Sequence, residues 1–237
     1  MFKFLLTTMF FLLSFMQPAT AFDDLEPHWT LDLSYHYARV ERSTNFSNIN
    51  FLSRSGAMLQ FEYTESFSLF WRYYLGGDFA VSSFEAPGSN TIRPREIFPW
   101  QSYGGLAAQL GSLKNLEFFV GAGTSTEYYQ RLSGVQTYTM DQTYSLRAHL
   151  GLTYRLISIV GSTARLMLRY SLPITRVEHF DEALSYKGIL DGTLRIRPRY
   201  DSTFSFYSGI RFEDYATADE SITYFSTRIH AGVGVHF

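Results

Sequence analysis

The last ten residues, Arg228 to Phe237, alternate without exception. Ile229, Ala231, Val233, Val235 and Phe237 are apolar, while Arg228, His230, Gly232, Gly234 and His236 are polar or lack a side chain. Only an extended strand, whose successive side chains point to opposite faces, turns that order into one apolar and one polar surface. The same period of two returns along the chain, and no later stretch holds a helical period over the length of a helix. A chain written this way folds as a sheet with two unlike faces, and closing such a sheet on itself removes its bare edges.

Ten such segments are expected. Strand one is Trp29 to Arg39, with Trp29, Leu31, Leu33, Tyr35 and Tyr37 against Thr30, Asp32, Ser34 and His36. Strand two sets Ala57, Leu59, Phe61 and Tyr63 against Met58, Gln60 and Glu62, and strand three runs from Phe67 to Gly76. Strand four, Trp100 to Leu110, has the least contrast. Strand five sets Leu116, Phe118, Val120 and Ala122 against Glu117, Phe119, Gly121, Gly123 and Ser125, and strand six spans Tyr144 to Arg155. Strand seven covers Ala164 to Leu172, strand eight Leu190 to Arg197 and strand nine Phe204 to Glu213; the tail is strand ten.

The expected connections alternate in length. Thr64 to Ser66, Gly111 to Asn115, Ile157 to Ser162 and Pro198 to Asp201 are brief. Ser43 to Ser53, Glu85 to Pro99, Leu132 to Gln142 and Val177 to Lys187 are longer and more polar, with Ala216 to Glu220 a short exception. The fold class is therefore all-β: a transmembrane antiparallel up-and-down barrel of about ten strands, with eight or twelve as the alternatives. An even count leaves both termini at one end.

The amino-terminus reads as an address. Lys3 precedes an apolar run from Phe4 to Met16, and Pro18 to Ala21 offers small residues to a signal peptidase. Residues 1–21 are thus expected to be a cleaved signal peptide, and 22–237 a single barrel domain. Of 237 residues, removal of 21 leaves 216, and loss of Lys3 takes the formal charge from −2 to −3, so no global basicity points to nucleic acid and none is expected as a partner. Zero cysteines exclude disulfides and thiolate chemistry.

Alternation alone does not say which face is outside, because a soluble lipocalin-type barrel alternates too. Three features favour a membrane. Aromatics gather at strand ends: Trp29, Tyr63, Phe67, Tyr154 and Phe237 below, and Tyr37, Tyr73, Tyr144, Tyr170 and Tyr215 above, as two interfacial girdles require. The polar face carries Gly and Arg rather than Lys, which suits a crowded, paired interior. The lipocalin Gly-x-Trp is missing, since Trp29 follows Pro27 and His28.

The closing strand with its terminal Phe237, together with the leader, resembles the bacterial outer-membrane β-barrel family. That resemblance implies residence in the outer membrane of a Gram-negative-type bacterium, among outer-membrane lipid and lipopolysaccharide. It also implies delivery by the barrel-assembly machinery, with Ile229, Val233, Val235 and Phe237 forming the recognised end. It names no substrate, so a porin-like role is one possibility among several.

The inward charges carry the remaining functional information. Arg147, Arg155, Arg165, Arg169, Arg195 and Arg197 project from strands six to eight, and Asp32, Glu62, Glu117 and Glu127 come from other walls. One reading is a salt-bridge network that fills a small barrel, with Asp32, Glu62 and Glu117 in reach of Arg155, Arg165 and Arg197. The other is a basic lining that passes small anions. Catalysis is not expected. Glu178 to Glu182 has acids and a His in an outer loop, as surface proteases of the omptin type do, but their paired acidic motifs are not matched, and no lipid A deacylase His-x-Ser occurs. His149 and His230 point inward without a carboxylate pattern, so neither a metal nor a cofactor is expected. The second outer loop, with Pro87, Gly88, Arg93, Pro94, Arg95 and Pro99, is stiff and cationic; it caps the mouth or meets a surface partner such as lipopolysaccharide.

Overall fold

The computed structural model describes residues 16–17, 29–44, 48–54, 56–68, 70–85, 96–110, 113–132, 138–158, 161–174, 177–179, 182–199, 201–217 and 222–237. Ten strands make the wall: β1 (Trp29–Thr44), β2 (Gly56–Ser66), β3 (Trp71–Ala80), β4 (Trp100–Leu110), β5 (Leu113–Leu132), β6 (Tyr138–Ser158), β7 (Thr163–Pro173), β8 (Glu182–Arg197), β9 (Phe204–Thr217) and β10 (Ile222–His236). Each pairs antiparallel with its neighbours in sequence, and β10 closes the ring on β1 from Thr30↔His236 to Thr44↔Ile222. Backbone bonds between Trp29 and Phe237 finish that seam and hold the first and last strands at one end. Met16–Gln17 makes a two-residue bridge to Ile157 and Ser158.

Burial along β1 alternates exposed and buried from Trp29 to His36, and the exposed set, Trp29, Leu31, Leu33 and Tyr35, is the apolar one. Leu31, Leu33, Phe118, Val120, Leu150, Leu152, Leu168, Val233 and Val235 all face outward. Asp32, Glu62, Glu117, Arg155, Arg169 and Arg211 are buried within. A continuous apolar belt around a closed wall is what hydrocarbon solvates and water does not, and closure leaves the wall without a free edge strand. The chain is a transmembrane up-and-down β-barrel.

The turns at the terminal end are tight. Between β2 and β3, the Phe67 and Ser68 amides donate to the Trp71 carbonyl. Strand three therefore begins at Trp71 rather than Phe67, which lies in the turn; Leu69 is outside the described residues. Gly161, between β6 and β7, has φ of 82°, the left-handed region where a Cβ is costly. After β8 the Ser202 amide donates to the Arg199 carbonyl.

The opposite rim is longer than the sequence suggests. Residues expected as the loop Ser43–Ser53 instead form Asn48–Arg54, which pairs with the upper half of β1. Ser82–Glu85 pairs with that segment and Glu96–Ile97 with Ser82–Ser83. β5 runs to Leu132 and β6 starts at Tyr138, inside the expected third loop, and Val177–His179 pairs with the start of β8 inside the fourth. Polar residues above the apolar belt still alternate, but without apolar contrast the period is invisible. Residues 86–95 of the proline-rich loop, with Pro87, Gly88, Arg93, Pro94 and Arg95, lie outside the described residues.

Two of the girdle assignments are overturned. Tyr73 lies at the terminal end, where its hydroxyl meets Glu65 and its ring stacks near Phe67. Tyr215 points inward, fully buried, and stacks on Tyr224 with centroids 4.9 Å apart. Around that pair Ala38, Val40, Phe51, Phe84 and Ile97 form an apolar cluster inside the rim opposite the termini.

Candidate lumen site

Below the apolar cluster the lumen is filled by ion pairs, and strand register explains their grouping. Arg155, Arg165 and Arg195 lie side by side across β6, β7 and β8. Like charges in register repel, so each guanidinium reaches across the lumen to an acid on the far wall. Glu117 of β5 accepts from Arg155 at 2.6 Å and forms an ion pair with Arg72 of β3, its Oε1 2.9 Å from Nε. Glu62 of β2 pairs with Arg165. Asp32 of β1 pairs with Arg195, which also donates to Thr30 Oγ1 at 3.2 Å. Gly234 makes room for this pair: a Cβ there would lie 1.9 Å from Asp32 Oδ1.

One step further from the termini the register places Arg169, Asp191, Arg211 and Arg228 in a row across β7 to β10. Here the acid sits within the row. Asp191 accepts from Arg169 at 2.8 Å and from Arg211 on its other side. Arg211 also faces Asp78 at 3.7 Å and Glu213 at 3.8 Å, and Glu213 holds Arg228 at 2.7 Å. Arg169 donates to Gln101 Oε1 at 3.2 Å and lies over the Tyr103 ring, 4.2 Å from its centroid. Arg228 crosses the barrel to the Thr126 carbonyl at 3.0 Å. That carbonyl lies just beyond the last paired residues of the β4–β5 ladder, Gln101↔Ser125, and the Thr126 hydroxyl serves Trp100 on the other side.

Of the residues singled out from sequence, Asp32, Glu62, Glu117, Arg155, Arg165, Arg169 and Arg195 meet in these pairs. Arg147 donates to Ser125 at 2.8 Å. Arg197 donates to the Ser202 carbonyl at 3.0 Å, and Asp32 pairs with Arg195. The side chains of Glu127 and of Glu178 to Glu182 lie outside the described residues. Arg72, Asp191, Arg211, Glu213 and Arg228 were legible as inward by phase and not counted as charges needing partners; Asp78 was lost because strand three was ended at Gly76. His149 takes a hydrogen bond with the Tyr74 hydroxyl, and His230 stacks on Tyr207 at 4.8 Å. Among the described residues no group of three or more His, Cys, Asp or Glu is arranged to hold a metal.

Two small voids lie among these ion pairs. A void of about 20 Å³ is lined by Arg72, Arg155, Arg165, Glu62, Glu117 and Tyr103 among others, and one of about 10 Å³ by Gln60, Glu62, Arg165, Thr193, Arg195 and Tyr207. The first holds about one water and the second less than one comfortably.

No family model matches the sequence, and no curated protein matches it either. Solved structures do match in shape. An outer-membrane channel from Pseudomonas putida F1 aligns over 93% of this chain and 97% of its own, with 9% identity and a TM-score of 0.52. The outer-membrane protease OmpT from Escherichia coli aligns over 94% and 98%, with 10% identity and a TM-score of 0.48. The transport unit of the autotransporter AIDA-I from Escherichia coli aligns over 92% and 93%, with 10% identity and a TM-score of 0.44. At such identities the likeness to the Pseudomonas channel is one of fold: the chain is built as an outer-membrane type of β-barrel.

Proposed function

We propose that the protein is an integral barrel of the bacterial outer membrane whose lumen is closed by its own side chains, so that it serves as a structural or surface scaffold and not as an open pore. The observation that carries this is the filled interior: Glu117, Asp191 and Glu213 each accept from buried guanidiniums, beneath the apolar cluster around Phe51 and Phe84. Buried charges left unpaired would be costly, so such a network is held in place and resists opening. Planar-bilayer recordings of folded, heat-modifiable protein are expected to be silent; stable discrete conductance overturns the reading. A narrow anion path is the second reading, favoured by the row of Arg155, Arg165 and Arg195 across β6 to β8, and anion-selective steps would establish it.

Delivery follows from the same reading. Signal cleavage after Ala21 would start the mature chain at Phe22 and also remove the Met16–Gln17 bridge, leaving the ten-strand wall. The exposed Ile229, Val233 and Val235 of β10, with Phe237 directly after it, suit recognition by the assembly machinery. Outer-membrane lipid and lipopolysaccharide are the partners of the apolar belt and the rim. Amino-terminal sequencing of outer-membrane-fraction protein tests both address and cleavage.

A further inference from the structure

Glu65 of β2 continues the outward phase of Leu59, Phe61 and Tyr63, so it faces the leaflet and not the lumen. Its side chain is half-buried. Among the described residues of the wall strands, it is the one charged side chain on the outward phase at the end that holds the termini. It lies one step beyond the Trp29↔Tyr63 pair, which puts it at headgroup depth, just past the aromatic girdle. Rings surround it. Tyr63 and its cross-strand partner Tyr73 both donate their hydroxyls to Glu65 Oε2. The Trp29 ring lies 4.5 Å from that of Tyr63, Tyr63 lies 5.8 Å from Tyr73, and Phe67 of the turn lies 6.4 Å from Tyr73, centroid to centroid.

Girdle rings by themselves meet headgroups without regard to charge. An acid fixed among them adds a sign: a cation gains from the carboxylate and from the ring faces together, and an anionic headgroup is repelled. One step towards the middle of the membrane, Phe61 and Leu75 open the apolar belt on the same two strands. A molecule with its cation at Glu65 can therefore lay hydrocarbon directly along the wall, as a lipid does and a soluble basic peptide does not. We propose that Glu65, with Tyr63, Tyr73, Phe67 and Trp29, forms a headgroup site for a phospholipid that carries an ammonium, of the ethanolamine class, in the leaflet at the end of the termini. The site goes beyond the closed-lumen reading and does not depend on it.

The test uses the whole barrel extracted in a mild detergent. Native mass spectrometry with equal amounts of phosphatidylethanolamine and phosphatidylglycerol, matched in acyl chains, is expected to show the ethanolamine lipid retained in preference by about two- to fivefold. Glu65→Gln should make retention of the two lipids equal. Asp201→Asn, which removes an exposed acid from the turn after β8 at the same end, should leave the preference as in wild type. If Glu65→Gln fails to fold, Tyr73→Leu keeps the acid, removes one ring with its hydroxyl, and should lower the preference. Equal retention by wild type, or an equal fall in Glu65→Gln and Asp201→Asn, overturns the site. Equal retention together with Glu65-dependent capture of a soluble oligolysine peptide overturns it in favour of a basic protein segment. Steady conductance from a barrel that still selects the ethanolamine lipid would overturn the closed lumen and leave the headgroup site standing.

Discussion

Glu117 shows how a single residue holds this lumen. It forms ion pairs with Arg72 and Arg155, and all three are buried. Removing the charge strands two guanidiniums, so Glu117→Gln should cost about 3–5 kcal/mol in chemical unfolding, the usual penalty for breaking one side of a buried pair. Removing both partners has a different outcome. Asp32→Leu alone should be severely destabilising, whereas Asp32→Leu with Arg195→Leu should return to within about 1 kcal/mol of wild type or exceed it, since the desolvation penalty disappears with the pair. A double-mutant cycle by denaturant unfolding checks this, and equal losses in the single and double variants would show that packing and not charge dominates there. At this scale the sequence was only half readable. Phase placed the side chains inside, but which Arg meets which acid depends on register across non-neighbouring strands, so the pairing of Asp32 with Arg195 was not legible.

At the scale of the strand, the β4–β5 ladder ends at Gln101↔Ser125 while the strands themselves go on. Thr126 compensates: its hydroxyl accepts from the Trp100 amide at 2.7 Å and donates to the Trp100 carbonyl at 3.1 Å. Thr126→Val keeps the shape and deletes both bonds, which should cost about 1–3 kcal/mol locally. Hydrogen exchange at the Trp100 amide should accelerate, with β1 and β10 unchanged; an unaltered Trp100 amide would show that the seam holds without the hydroxyl. The ten strands were legible because each sets an apolar lipid face against a polar interior, the strongest contrast a period of two can have. Their outer ends were not legible, since Asn48–Arg54 and Ser82–Glu85 lie where both faces lose that contrast. The start of β3 was misread because Phe67 continues the apolar alternation through a turn.

Across the whole barrel, two different closures stand in series. The rim opposite the termini is sealed by packed rings and aliphatics, and the region beneath by ion pairs. Apolar packing yields when its volume is removed, whereas paired charges in other layers keep their partners and stay put. Opening the first closure should therefore expose only what lies directly below it. A chain without cysteine lets single probes report depth. Ser226 is fully buried opposite Val40, just under the apolar cluster, and Ser34 lies deeper, opposite Gly232 and beside the Asp32 layer. Cysteine at either position should resist a small charged thiol reagent in the otherwise native barrel. In a Phe51→Ser, Phe84→Ser background, Ser226→Cys should become reactive while Ser34→Cys stays protected, and bilayer conductance should remain silent. Labelling of both positions in that background would mean that the ion pairs do not close the lumen, and that the apolar cluster is the whole of the barrier.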